Sequence, residues 1–221
     1  VTPKHLLLSA FALAAAVDLG SLAAGFDPGH TLAKPLLMPL LAGYAALSGA
    51  PRLLVAALLF GWGGDVFLLS DADPAFLAGM GSFAAGHVCY LLLFRAPGTQ
   101  RPLLLAGYGV ALTATVVALW PDLPAELRVP VAGYSLLLTA MAYRAGGRFG
   151  LLAGLGGALF MLSDTLIATG VAEWPQPPRP DLWIMLTYIA AQYLLTTGTL
   201  RALEARPGPA ATHGEVRSTT P

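Results

Sequence analysis

Eight apolar runs, each near the roughly 20 residues needed to cross about 30 Å of hydrocarbon, leave this chain no place for a soluble core. They fall at about 5–24, 32–49, 52–70, 75–95, 103–120, 127–144, 150–171 and 182–203. The breaks between them are short and polar or Pro-rich, such as FDPGH, APGTQRP, WPDLPAE and EWPQPPRPD. A hydrophobic share of 56% against 11% charged residues, with a mean hydropathy of +0.69, lies well outside the range of water-soluble domains. The expectation is an all-α polytopic membrane protein, an eight-helix transmembrane bundle forming one domain over 1–205. The Pro-, Gly-, Ser- and Thr-rich stretch 206–221 is expected to be a disordered cytoplasmic tail.

The first run also admits a reading as a cleaved signal peptide, since Lys4 precedes an apolar stretch ending in small residues; its length and Asp18 argue against that. Cys89, the single cysteine, precludes an intrachain disulfide, and zero net charge argues against a nucleic-acid partner. Alternating spans put Lys4, Arg52, Arg95, Arg101, Arg144, Arg148, Arg201, Arg206 and Arg217 on one side. Lys34, Arg128 and Arg179 fall on the other, with Asp27, Asp71, Asp73, Asp122, Glu126, Glu173 and Asp181. The positive-inside rule then makes both termini cytoplasmic. Ala-, Gly-, Pro- and Arg-rich usage points to a bacterial source with GC-rich coding, hence a bacterial inner membrane.

Three acids belong to no loop. Asp18, near the outer end of the first run, is expected to reach the interface. Asp65 and Asp164 lie 13 or 14 residues from the cytoplasmic ends of their runs, on the order of 20 Å at 1.5 Å per residue. An ionised carboxylate in hydrocarbon costs at least roughly 2.5–3.5 kcal/mol, so both should face the bundle interior.

Polar residues at helical spacing supply company for them. Phe83, His87, Tyr90 and Phe94 share one face of the fourth run, and Tyr188 and Gln192 stack likewise in the eighth. Lys34 opens the second run at the outer side, with Pro35 suiting a first turn. The candidate site therefore joins Asp65 and Asp164 as the reacting pair to Lys34, His87, Tyr90, Ser163, Tyr188 and Gln192. The stretches LLFGWGGDVFLLS and GALFMLSDTLIATG, and the Ala-Gly-Tyr at both 42–44 and 132–134, read as a parallel 4+4 internal repeat, or as the self-likeness of a Leu/Ala/Gly-rich sequence.

Taken in order, KPLLMPLLAG (34–43), GWGGDVFLLS (61–70), FLAGMGSFAAGHVCYLLLF (76–94), GALFMLSDTLIATG (157–170) and YIAAQYLL (188–195) resemble the YhhN-like lysoplasmalogenases, eight-span membrane enzymes. The resemblance implies hydrolysis of the vinyl ether of a single-chain ether phospholipid, a lysoplasmenyl-choline or -ethanolamine, to a fatty aldehyde and a glycerophospho-base; no cofactor or metal is expected, since two carboxyls suffice for the protonation. Protonating an enol ether at the carbon β to oxygen makes an oxocarbenium ion that water attacks. Two carboxyls meet that need, one held protonated and one ionised. Other classes stay open on the residues alone. A proton-coupled carrier would use paired membrane acids. An intramembrane aspartyl protease would need Gly where Trp62 stands. A metal hydrolase built on Asp65, Asp164 and His87 has no second well-placed histidine, since His5, His30 and His213 fall at ends or loops.

Overall fold

A computed structural model describes residues 2–70 and 72–205. Its regular structure consists of seven helices: α1 Pro3–Ala24, α2 Asp27–Leu47, α3 Arg52–Phe67, α4 Asp73–Leu93, α5 Pro102–Leu119, α6 Ala125–Val171 and α7 Pro180–Glu204. The expected tail at 206–221, and Asp71, Arg206 and Arg217 of the loop-charge count, lie outside the described residues. By length and composition α1, α4, α5 and α6 can cross a membrane, and the chain is an integral membrane protein.

Seven helices stand where eight runs were expected because α6 takes in two of them. Its 47 residues turn back at Gly150, whose φ of 82° and ψ of −165° belong to a region that in effect only glycine occupies. The two arms then run antiparallel in close contact. A Cβ on Gly157 would lie 2.6 Å from Ala142 Cα, and one on Gly154 would lie 2.9 Å from Gly146 Cα. RAGGRFG contains no proline to interrupt helical hydrogen bonding, so the helix runs up to the turn from both sides.

Two boundaries shift with consequences for the site. Helix α2 begins at Asp27, with Pro28 filling the first-turn position, so Lys34 and Pro35 lie inside the helix rather than at its start. Helix α3 ends at Phe67 rather than at 70. The chain tightens there into three-residue steps, Leu69 N–H to Val66 O at 3.2 Å and Ser70 N–H to Phe67 O at 3.2 Å, which sets Asp65 in the last helical turn.

The core lies among α2, α3, α4, α6 and α7, around Met38, Leu41, Leu58, Tyr90, Met141, Phe160 and Leu195. Helix α5 stands outside it, burying only Leu119 and exposing Leu103 and Val110. The α4–α5 loop sits over the Gly150 turn, where Thr99 N–H donates to Gly147 O at 2.8 Å and the Arg144 guanidinium donates to Phe94 O and Ala96 O. At the other end Trp174 Nε1 donates to Asp122 Oδ2 at 2.7 Å and ties the α5–α6 and α6–α7 loops together.

Close approach of α6 to α7 is the packing feature that the site depends on. A Cβ at Gly156 would fall 2.7 Å from Leu195 N and 2.8 Å from Ala191 O, both backbone atoms that cannot rotate away. Gly156→Ala is therefore expected to cost about 1–3 kcal/mol and to lower the thermal midpoint in detergent. Gly107→Ala on α5, with open space around it, should leave the midpoint equal or higher. Equal midpoints for Gly156→Ala and the parent would refute this packing.

Candidate active site

Helix α3 presents Gly61, Gly64 and Asp65 on one side, and the glycines make room for what meets the carboxylate. A Cβ on Gly61 would touch Gln192 Nε2 at 3.0 Å and Tyr188 Oη at 3.1 Å, while one on Gly64 would enter the Phe83 ring. With that space clear, Tyr188 Oη donates to Asp65 Oδ2 at 2.9 Å. Gln192 Nε2, one turn further along α7, reaches Tyr188 Oη at 3.4 Å, and Gln192 Oε1 accepts from Tyr90 Oη at 2.7 Å. Asp65 is 2% exposed, and Lys34, Asp18 and Asp164 act on its charge through space.

The second network is held by α4 and the α6 hairpin. Tyr134 Oη donates to Asp164 Oδ2, and His87 Nε2 lies 3.0 Å from the same phenol oxygen. With the phenol proton directed at Asp164, His87 Nε2–H is the donor, which leaves Nδ1 as a buried acceptor without a partner among the described residues. Tyr134 and Asp164 are equidistant along the chain from Phe149, so the hairpin alone brings them face to face.

Aromatic rings separate the two networks. Phe160 packs edge-on against Phe83, His87 and Tyr188, at centroid distances of 6.2, 4.7 and 5.5 Å. No hydrogen bond joins the aspartates among the described residues. Asp164 and Tyr134, both partly buried, line an apolar slot of about 80 Å³ between α4, α5 and α6, walled also by Phe83, Leu112, Leu138 and Met161. Leu68, Phe76, Ile167 and Val171 wall this slot and also a wider cavity of about 760 Å³. Lys34, 8% exposed, lines the wider cavity. Asp65 lines neither space and lies behind Phe83, whose ring covers Gly64.

Of the residues expected at the site, Asp65, Tyr188, Gln192 and Tyr90 form one network, and Asp164 and His87 belong to the other. Ser163 goes elsewhere, donating to Ile184 O at 3.0 Å across the α6–α7 contact. Tyr134 was absent from the sequence-based set. Its Ala-Gly-Tyr signature, and its distance from the turn, were the signals that could have found it.

Asp18 also departs from expectation. It is fully buried rather than interfacial and lies 2.8 Å from His30 Nδ1, because α1 and α2 pack so closely at Gly29 that a Cβ there would overlap Ser21 Oγ. His30, expected in a loop, stands in the first turn of α2. No group of three His, Cys, Asp or Glu side chains suited to a metal ion occurs among the described residues.

The model of the YhhN family matches residues 29–199, a stretch that takes in both networks and Lys34 and omits Asp18. A human protein named Lysoplasmalogenase TMEM86B is 37% identical over 178 residues, covering 77% of this chain and 75% of that protein. A Mycobacterium bovis protein named Lysoplasmalogenase is 31% identical over 197 residues, covering 77% of this chain and 71% of its own length. No solved structure matches. On the family match and on identity sustained over most of its length, the chain belongs to the YhhN family.

Proposed function

We propose that the chain is a lysoplasmalogenase, an ether hydrolase that cleaves the vinyl ether of a lysoplasmenyl-choline or -ethanolamine within the bilayer. The observation that carries the reading is the placement of Asp164 on the wall of an apolar slot that shares Leu68, Phe76, Ile167 and Val171 with a cavity lined by Lys34. The apolar wall of the slot suits the few carbons around a vinyl ether, and a headgroup phosphate suits the ammonium. The relatives named lysoplasmalogenase support the same class.

In this reading Asp164 is the acid. It delivers its proton to the vinyl carbon β to the ether oxygen, and the electron pair of the double bond forms the new C–H bond. The α carbon becomes an oxocarbenium centre, which the Asp65 carboxylate steadies from behind Phe83 by its field. Water adds to that carbon and gives up a proton to the Asp164 carboxylate, regenerating the acid. The hemiacetal then collapses to a fatty aldehyde and the free glycerol hydroxyl. Tyr134 and His87 fix the Asp164 carboxyl, while Tyr188, Gln192 and Tyr90 fix Asp65, so neither needs reorganising during the reaction.

The proposed setting is an inner membrane crossed by all eight helical arms, those of α6 counted separately. The arms form a parallel 4+4 repeat with both termini cytoplasmic, and the Lys34 cavity opens toward the opposite face. The charge distribution of the loops supports that orientation.

Asp164→Asn is expected to lower kcat for aldehyde release at least about a hundredfold, the usual contribution of a positioned acid. Asp65→Asn should also abolish release with the protein still folded in detergent. Near-parent activity in either variant removes that residue from the mechanism. Aldehyde release should persist in excess chelator; its loss together with a stoichiometric bound metal would favour a metal hydrolase, and proton-coupled flux in liposomes without aldehyde would favour a carrier. Lys34→Met should raise KM for a lysoplasmenyl phospholipid more than for an alkenyl glycerol without phosphate, and equal losses would assign the lysine to the carboxyl pair or the fold.

A further inference from the structure

The wider cavity has a charge pattern that a phosphate-binding lysine does not explain. Asp73, Glu126 and Asp181 line it together with Lys34, and no other cation does among the described residues. These acids come from the first turns of α4, α6 and α7, elements far apart in sequence that begin around one mouth. Lys34 is more than nine-tenths buried, lines the same space, and forms no ion pair or hydrogen bond among the described residues. Its charge reaches Asp65 through space without closing an ion pair, which leaves the ammonium on the cavity wall for an anion from outside the chain. The acids outnumber the lysine three to one, so an anion that enters alone meets net repulsion.

We infer that Asp73, Glu126 and Asp181 form a subsite for the cationic amine of a zwitterionic headgroup whose phosphate lies on Lys34. This deepens the lysoplasmalogenase reading and rests on it for the identity of the lipid. A headgroup carrying both charges satisfies the lysine through its phosphate and the acids through its ammonium. A phosphoglycerol headgroup offers only the phosphate and leaves three carboxylates facing an anion. The wall thereby selects choline or ethanolamine headgroups over anionic ones by repulsion as well as attraction. Acids in first turns also stabilise their own helices, so the test reads headgroup selectivity.

The triple variant Asp73→Asn, Glu126→Gln, Asp181→Asn, and each single substitution, are assayed in detergent with lysoplasmenylcholine, a lysoplasmenyl phosphoglycerol and an alkenyl glycerol. The ratio of kcat/KM for the choline lipid to that for the phosphoglycerol lipid should fall about tenfold in the triple variant. It should fall in the same direction, and less, in each single one. A constant ratio, or parallel losses on all three lipids, would overturn the subsite. Titration with lysophosphatidylcholine and lysophosphatidylglycerol, neither of which has a vinyl ether, provides a readout independent of chemistry. The parent should bind the choline lipid more tightly and the triple variant should lose that preference; equal binding by the parent would also overturn it. Absence of aldehyde from every alkenyl lipid would instead sink the hydrolase reading, and the titration would still decide the subsite.

Discussion

A carboxyl group inside a lipid-embedded bundle needs hydrogen-bond donors from its own protein, since hydrocarbon supplies none. Each of the two inner aspartates obtains one from a tyrosine on another helical arm, Tyr188 for Asp65 and Tyr134 for Asp164. Much of the neighbouring architecture is what it takes to bring those phenols within reach. Glycines at 61 and 64 thin α3 so that α7 and Phe83 can approach, Gly156 lets α6 lie against α7, and Gly150 folds the α6 arms together. A tyrosine also leaves its oxygen available as an acceptor. That is how Gln192 and His87 extend the two networks by one residue each.

The separation of the networks is as informative as their likeness. Phe83 and Phe160 stand between them, so the aspartates influence each other through an apolar barrier rather than by sharing a proton. Only Asp164 faces open space. In the proposed reaction that difference in access gives the carboxyls different tasks, one touching the reacting carbon and the other supplying charge.

What the sequence could disclose depended on range. Hydropathy locates the helices, and i, i+3 and i, i+4 spacing puts His87 on one face with Tyr90, and Tyr188 on one face with Gln192. The pairing of Asp65 with Tyr188 was beyond that reading, because the two are far apart in the chain and periodicity says nothing about which helices adjoin. Lys34 was placed at a helix start because Pro35 follows it, yet Pro28 already filled that role and α2 simply continues through the second proline. Asp18 looked interfacial by its position in the run. Whether a residue near a helix end turns toward water or toward a neighbour is decided by how closely the neighbour packs, and Gly29 was the local clue. Ser163 stood beside Asp164 in sequence, and helical geometry aimed it at α7 instead.

The α6 hairpin has a consequence for how the protein is made. Because Tyr134 and Asp164 lie on its two arms, that carboxyl acquires its donor as soon as one helical pair enters the membrane. Asp65, on α3, waits for Tyr188 on the last helix, so the N-terminal half of the chain holds an unsatisfied acid through most of synthesis. Chains released before α7 carry that exposed liability, and the cell's membrane quality control has a chemical reason to treat them as unfinished.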